Sequence, residues 1–409
     1  MTPQESTEVG SAVSTWRLAT AETIVWAGLY YLFPAMLSYW EAGYGWTKVD
    51  LAIAFSLALI VSALLAPVAG RMIDKGYGRF LLTACGLLGG VALGMLPLVE
   101  TKAAFYGVWF FIGVSMSGCF YEPCFAFVVH SHGDNARKVI TRITLIAGFA
   151  GTLAFPTTTL LADMYEWRIA VWAYSGLIIL VATPLFWFGA VPIAKEQAAA
   201  STHVAPSSHS SGLSGVDLST ALRQPVFWML AFAFSAITLN HGVLINFLLP
   251  LLADRGASTS FAVLLISMIG PMQVVGRVAM MVCERWLSIQ TVCGLSYGCL
   301  IVASLCLVFA GDNPVLLILF VCAQGAGIGV NSIARPVVTA VIFGRRHFGG
   351  ISGAIATNVT IGNALAPAAG ALLLAAGGFD IILMVALALI ACGTISLALA
   401  FMTGKPAPS

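Results

Sequence analysis

Two ionisable side chains, Glu122 and Arg335, stand inside long apolar runs. A charge within a membrane helix costs about 2.5 to 3.5 kcal/mol on insertion scales, so such residues are rare and usually functional. Each precedes a proline, in Glu122-Pro123 and Arg335-Pro336, and each is followed by a basic loop at about the same distance into its own half of the chain. Matched positions in two related halves would bring the charges together about a pseudo-twofold axis, as a gate or a coupling pair. The competing readings are a salt bridge that only fastens two bundles and side chains that snorkel to the interface. Burying opposite charges in hydrocarbon is a poor route to stability, so a functional role is the expectation. The prolines free backbone carbonyls and are expected to kink both helices at the same depth. Bond-making chemistry is not indicated: no nucleophile lies beside a base and an orienting acid, no residue cluster has metal-ligand spacing, and no phosphate loop is present. Neither enzymatic activity nor a cofactor nor a bound metal is expected.

Around each charge a polar or small stripe is readable at helical spacing. Gln324, Gly327, Asn331 and Arg335 form one stripe, and Ser115, Gly118 and Glu122 another. The run after Pro225 offers Asn240, His241 and Asn246, although a membrane histidine is as often a packing hydrogen-bonder as a proton carrier. Trp26, Tyr30 and Phe33 share one face of the first run, and Trp109 and Tyr121 lie in the fourth. Most aromatic residues of membrane helices face lipid, the interface or a neighbouring helix, and that reading competes with a substrate site here. Glu22, placed one turn into the first run, is expected to be a favourable charge at a helix N-terminus rather than a ligand.

The elements that must hold these residues follow from composition. Of 409 residues, 59% are hydrophobic and 9% are charged, against roughly a quarter charged in an ordinary soluble domain. Apolar runs of about 20 residues follow one another, so the bilayer is the solvent and the fold is all-α. The runs predict helices over 18–40, 50–70, 80–99, 103–129, 140–161 and 169–190, then 226–250, 260–282, 287–310, 314–340, 350–374 and 379–402. This divides the chain into an N-terminal segment 1–17, a six-helix bundle 18–190, a serine-rich flexible linker 191–224, a second bundle 225–402 and a tail 403–409. With the N-terminus in the cytoplasm, that side carries Arg17, Arg71, Lys75, Arg79, Arg137, Lys138, Arg142, Lys195, Arg223, Arg277, Arg285, Arg345, Arg346 and Lys405, and the other only Lys48, Lys102, Arg168 and Arg255. The positive-inside rule therefore places both termini and the linker in the cytoplasm, in an inner or plasma membrane. The net charge of +2, without basic residues interleaved with aromatics, argues against nucleic acid as a partner. The nine cysteines all fall in or at the ends of apolar runs, with no CxxC, and read as small packing residues. Pro67 and Gly70-Arg71 are echoed by Pro271 and Gly276-Arg277, a second sign of an internal repeat.

Between the second and third runs stands Gly70-Arg71-Met72-Ile73-Asp74-Lys75-Gly76-Tyr77-Gly78-Arg79. It resembles the signature loop of the major facilitator superfamily. Gly70, Asp74, Lys75, Gly78 and Arg79 occupy the motif positions, and they read as conformational parts rather than substrate ligands. The resemblance implies twelve transmembrane helices in two pseudo-symmetric six-helix bundles, alternating access, a cavity lined by the first, fourth, seventh and tenth helices, and a chain that works as a monomer. At the matching place in the second half the motif is degenerate, with Glu284-Arg285. Gly45-Trp46-Thr47-Lys48-Val49-Asp50 and Gln273-Val274-Val275-Gly276-Arg277 look like monocarboxylate-porter relatives, which would make Arg277 an anion anchor; its match to Arg71 makes it structural. Gln273 stands where that family usually has an aspartate, which weakens the carry-over of proton-coupled lactate-type transport. The fifth run reads Gly148-Phe149-Ala150-Gly151 and then Pro156, and so departs from the drug-antiporter signature.

A neutral charge pair, the amides of Gln324, Asn331 and Asn246, and the aromatic residues suit a flat, largely neutral molecule that stacks on rings. In overall appearance the chain also resembles bacterial riboflavin-uptake members of the superfamily. Uptake of riboflavin or a similar heterocycle is the leading expectation. Proton-linked transport of a small monocarboxylate, anchored by Arg277 or Arg335, is the alternative, with drug efflux and a membrane enzyme behind it.

Overall fold

Lipid offers no hydrogen bond to a peptide group, so apolar runs of this length must close their backbone bonds inside helices. The computed structural model describes residues 3–190, 215–283, 286–311 and 313–404, and these form twelve long helical runs. The first, α1, covers 3–44: Pro3–Trp26 and Leu32–Tyr44 flank a π turn at Ala27–Tyr31. Then follow α2 (Lys48–Asp74), α3 (Gly78–Leu98), α4 (Lys102–His132), α5 (Ala136–Met164) and α6 (Trp167–Ala190). The second half holds α7 (Pro225–Asp254), α8 (Thr259–Cys283), α9 (Ile289–Phe309) and α10 (Pro314–Phe343). Phe348–Thr403 continues as α11 and α12, divided at Gly377 and Gly378, whose backbone is not helical. Among the described residues, ten helices are long and apolar enough to cross a membrane.

Three boundaries differ from the sequence reading. The first helix starts at Pro3 rather than at 18, because Ser14 and Thr15 are buried in the bundle and Arg17 donates to the Phe188 carbonyl at 3.1 Å. The end of the expected linker is ordered: Leu218–Arg223 is a short helix, and Gly215 pairs with Gly344 in an isolated bridge. Gly344–Ala354, expected in the second bundle, belongs to the same compact unit as the chain through Val216; the other unit holds Asp217–Phe343 and the chain from Ile355. Residues 191–214 with Lys195, Ser207 and Ser208, the Glu284-Arg285 pair, Asp312 and Lys405 lie outside the described residues.

Each unit repeats the same packing. In the first, α4 makes its most extensive contacts with α2 and α3; in the second, α10 does so with α8 and α9. Glycines permit both approaches, as expected where apolar lipid tails give helices no hydrophobic reason to pair. A Cβ at Gly113 would meet the Ala58 backbone, and one at Gly276 would meet the Ala326 backbone. Ser115 donates to the Cys85 carbonyl at 2.6 Å, and Ser296 to the Gly327 carbonyl at 2.7 Å.

The start of α2 explains the Gly45 to Asp50 motif in local terms. Gly45 ends α1 in the left-handed region, at φ 69°. Thr47 and Asp50 then form a capping box, and Lys102 pairs with Asp50 at 2.7 Å.

Candidate functional site

In the first unit an aromatic wall forms where α1 changes register. A π turn adds a residue to the helical turn, and such turns recur at functional sites. Here it places Trp26, Tyr30 and Tyr31 in one cluster, with Trp26 to Tyr30 at 5.2 Å and Trp26 to Tyr31 at 6.3 Å between ring centroids. Gly28 lets the turn lie against α6, since a Cβ there would stand 2.8 Å from Ile178 Cδ1. From α4, Phe120 stacks on Trp26 at 4.3 Å and Tyr121 stands 4.7 Å away. Phe55 of α2 closes the row against Tyr30 at 5.2 Å. Trp26, Tyr30, Tyr31, Phe55 and Tyr121 are all half-buried, so the wall keeps accessible ring surface.

Trp109 does not share that exposure. It is fully buried among Phe33, Trp40, Phe55 and Phe105, and supports the wall from behind through Phe55.

Glu122 owes its position to Pro123. Proline removes an N–H and collides with the carbonyl four residues earlier, and α4 breaks at Phe120 (φ −89°, ψ −172°) into Lys102–Cys119 and Tyr121–His132. Glu122 thereby sits in the first turn of the second segment, at the positive end of its peptide dipoles. The matching proline of α10 causes no such break, since the helix continues through Pro336. Arg335 is half-buried in that continuous helix, and its carbonyl accepts from Thr339 at 2.8 Å.

Glu22 also departs from its sequence reading. Because the helix starts at Pro3, Glu22 lies far inside it rather than in its first turn, and it is fully buried. Among the described residues neither carboxyl oxygen makes a well-formed hydrogen bond, and the Trp26 indole N–H and the Cys124 thiol stand as their nearest donors.

The signature loop ends α2 in a Schellman turn. Tyr77 N–H donates to Met72 and Gly76 N–H to Ile73, with Gly76 at φ 87°. Gly70 lies directly on the Gly349 backbone, where no side chain would fit. Asp74 accepts from the Gly349 N–H at 2.7 Å and the Gly350 N–H at 2.8 Å, in the first turn of α11, and His130 Nε2 lies 2.7 Å from its Oδ1. A Cβ at Gly78 would press on the Phe127 ring, Lys75 is exposed, and the Arg79 guanidinium lies 3.5 Å over the Trp187 ring.

In the second unit, buried Gln324 donates toward His241 Nδ1 at 3.2 Å and Asn240 Oδ1 at 3.5 Å, and Asn240 in turn donates to the Ala386 carbonyl. Among the described residues, Gln324 Oε1 and Asn331 Oδ1 are buried acceptors without a donor. Asn246 stays apart, exposed and bonded to its own helix at Gly242. The partners of Gln324 are the Asn240-His241 pair, adjacent in sequence. Arg277 is buried, and its Nε donates to the Gly329 carbonyl at 3.3 Å.

A twelve-helix chain with a repeated six-helix unit and a glycine-and-aspartate loop between α2 and α3 has the architecture of a secondary transporter. The sequence model of the Major Facilitator Superfamily matches residues 18–311, and the chain belongs to that family. Among solved structures, the Escherichia coli fucose:proton symporter FucP is similar at a TM-score of 0.69, with 16% identity over 96% of this chain and 99% of that one. A bacterial homologue of the iron transporter ferroportin matches at 0.68, with 15% identity over 95% and 99%. The human organic anion transporter MFSD10 matches at 0.64, with 14% identity over 97% and 100%. No curated protein matches the sequence.

Proposed function

We propose that this chain moves a small, flat, largely neutral organic molecule across the cell membrane by alternating access, with riboflavin or a similar heterocycle as the substrate. The aromatic wall of Trp26, Tyr30, Tyr31, Phe120 and Tyr121 carries this reading, because stacked rings contribute about 0.5 to 1.5 kcal/mol per pair and tolerate neutral partners. Within the second unit, Gln324, Asn331 and the Asn240-His241 pair are buried or half-buried hydrogen-bonding groups, and Glu122 and Arg335 serve the gate or the coupling step. The carboxylate alternative draws less support, since Arg277 already donates to the Gly329 backbone. The chain works as a monomer in the inner or plasma membrane, with cytoplasmic termini.

Uptake of a labelled panel containing riboflavin and lactate, by cells expressing the chain, separates the two substrate classes. With riboflavin, Trp26→Ala should weaken apparent affinity roughly two- to thirteenfold, as loss of about 0.5 to 1.5 kcal/mol implies, while Arg277→Gln leaves affinity nearly unchanged. Lactate uptake with the reverse order of effects would reject the heterocycle. Orientation is tested separately. A reporter placed after Lys405 or near Ser208 should read as cytoplasmic, and activity on the opposite side at either site would reverse the assignment.

A further inference from the structure

A histidine placed in a membrane helix for packing alone gains nothing from a free ring nitrogen, because lipid supplies no hydrogen-bond partner. His241 has such a nitrogen. It is half-buried on α7, its Nδ1 faces Gln324 of α10, and among the described residues its Nε2 has no partner.

The two ring nitrogens are told apart by a chain of bonds that starts on α12. Asn240 gives its amide nitrogen to the Ala386 carbonyl at 2.9 Å, so its Oδ1 is the atom left for Gln324, 3.5 Å away. An oxygen at that place calls for the amide nitrogen of Gln324, and the same nitrogen lies 3.2 Å from His241 Nδ1. Nδ1 is therefore an acceptor. A neutral imidazole with one accepting nitrogen carries its proton on the other, so Nε2–H is a donor whose tautomer Asn240 and Gln324 fix.

An acceptor stands close to it. The next residue, Gly242, packs on α11, where a Cβ would lie 2.6 Å from Ala366 Cβ and 3.2 Å from Asn363 Oδ1. Asn363 is exposed and has no partner among the described residues, so its oxygen borders α7 unused. Thr238 and Ile245, half-buried like His241, continue its face of α7 by one turn in each direction. All of these groups belong to the second compact unit.

We propose that His241 Nε2–H and Asn363 Oδ1 form a recognition site for a cyclic amide edge, a ring carbonyl beside a ring N–H. His241 donates to the carbonyl oxygen and Asn363 accepts from the N–H, while Asn240 and Gln324 are positioning residues that hold the imidazole proton on Nε2. A carboxylate has no hydrogen to give Asn363, and a bare aromatic ring offers neither group. The site thus selects lactams and imides, the pyrimidinedione ring of a flavin among them. The inference rests on the neutral-heterocycle reading and names the part of that molecule that the second unit grips.

Nitrogen NMR of the full chain in lipid nanodiscs reads the tautomer with no substrate present. With isotope-labelled histidine, and the His241 signals assigned by their loss in His241→Gln, the wild type should show Nε2 protonated and Nδ1 bare. Gln324→Glu, whose carboxylate only accepts, should move the proton to Nδ1. Uracil, which carries the bare edge, should shift the Nε2–H signal of the wild type and shift it far less in Asn363→Leu. In uptake, riboflavin methylated at its imide nitrogen should compete with labelled riboflavin at least tenfold less well than unlabelled riboflavin does, and Asn363→Leu should erase that preference. His241→Phe, which keeps a ring and removes the donor, should weaken apparent affinity for riboflavin about tenfold, as loss of one hydrogen bond implies. A wild-type tautomer protonated on Nδ1, no response to uracil, or equal competition by the methylated flavin overturns the proposal. If the wild type takes up no riboflavin, the substrate reading falls by itself, and the tautomer with the uracil response decides the site.

Discussion

Replacing Glu122 with Gln, or Arg335 with Gln, is expected to reduce transport about a hundredfold or more while the chain still reaches the membrane. If the two charges meet during transport, as proposed, stranding one of them in a buried setting costs about 3 to 5 kcal/mol, and about 1.4 kcal/mol is a factor of ten. Both residues are half-buried within α4 and α10. The double exchange Glu122→Arg with Arg335→Glu distinguishes the roles. If the two charges meet only to close a gate, part of the activity returns. The return should be incomplete, because position 122 lies in the first turn of a helix segment, where a cation is disfavoured by about 0.3 to 1 kcal/mol. If Arg335 binds substrate, or Glu122 moves a proton, the exchange stays inactive. Near-normal uptake rates in both single variants would discard the pair and leave two snorkelling side chains.

Gly70→Val should be comparably damaging, for a steric reason. Any Cβ at Gly70 falls on the carbonyl of Gly349, and neither is on a flexible side chain that could swing away. Overpacking of this kind costs about 1 to 3 kcal/mol, and it would also lift the Gly349 and Gly350 N–H groups from Asp74. Gly107→Ala is the control, since a Cβ there meets nothing within 4 Å. Initial uptake rates normalised to surface expression provide the measurement; wild-type rates in Gly70→Val would show that the close approach is dispensable.

The helices were legible because lipid forces a simple rule on the backbone, and each apolar run obeyed it. The repeat was legible for a related reason: Gly70-Arg71 and Gly276-Arg277 mark places where helices must approach closely. What escaped was set by contacts that one-dimensional spacing does not carry. Glu22 looked like a first-turn charge because the polar stretch before Arg17 gives no hydrophobic signal, yet Ser14 and Thr15 are buried and prolong the helix. Tyr31 was missed because an ideal helical period puts Trp26 and Tyr30 on one face and excludes it; only the π turn admits it. Sequence spacing also could not show that the Asn246 amide donates within its own helix while Gln324 turns to Asn240 and His241. Pro123 and Pro336 are identical in type and matched in position, and one breaks its helix while the other does not.

That last asymmetry bears on leakage. A carboxylate in the middle of an intact helix would need water for company, and a column of water at that depth is a wire for ions. At the break after Cys119, Glu122 stands in the first turn of the second α4 segment, where the positive end of the peptide dipoles favours a carboxylate. A jointed helix of this kind would act as an insulator, favouring a carboxylate within an apolar helical run with no column of water beside it.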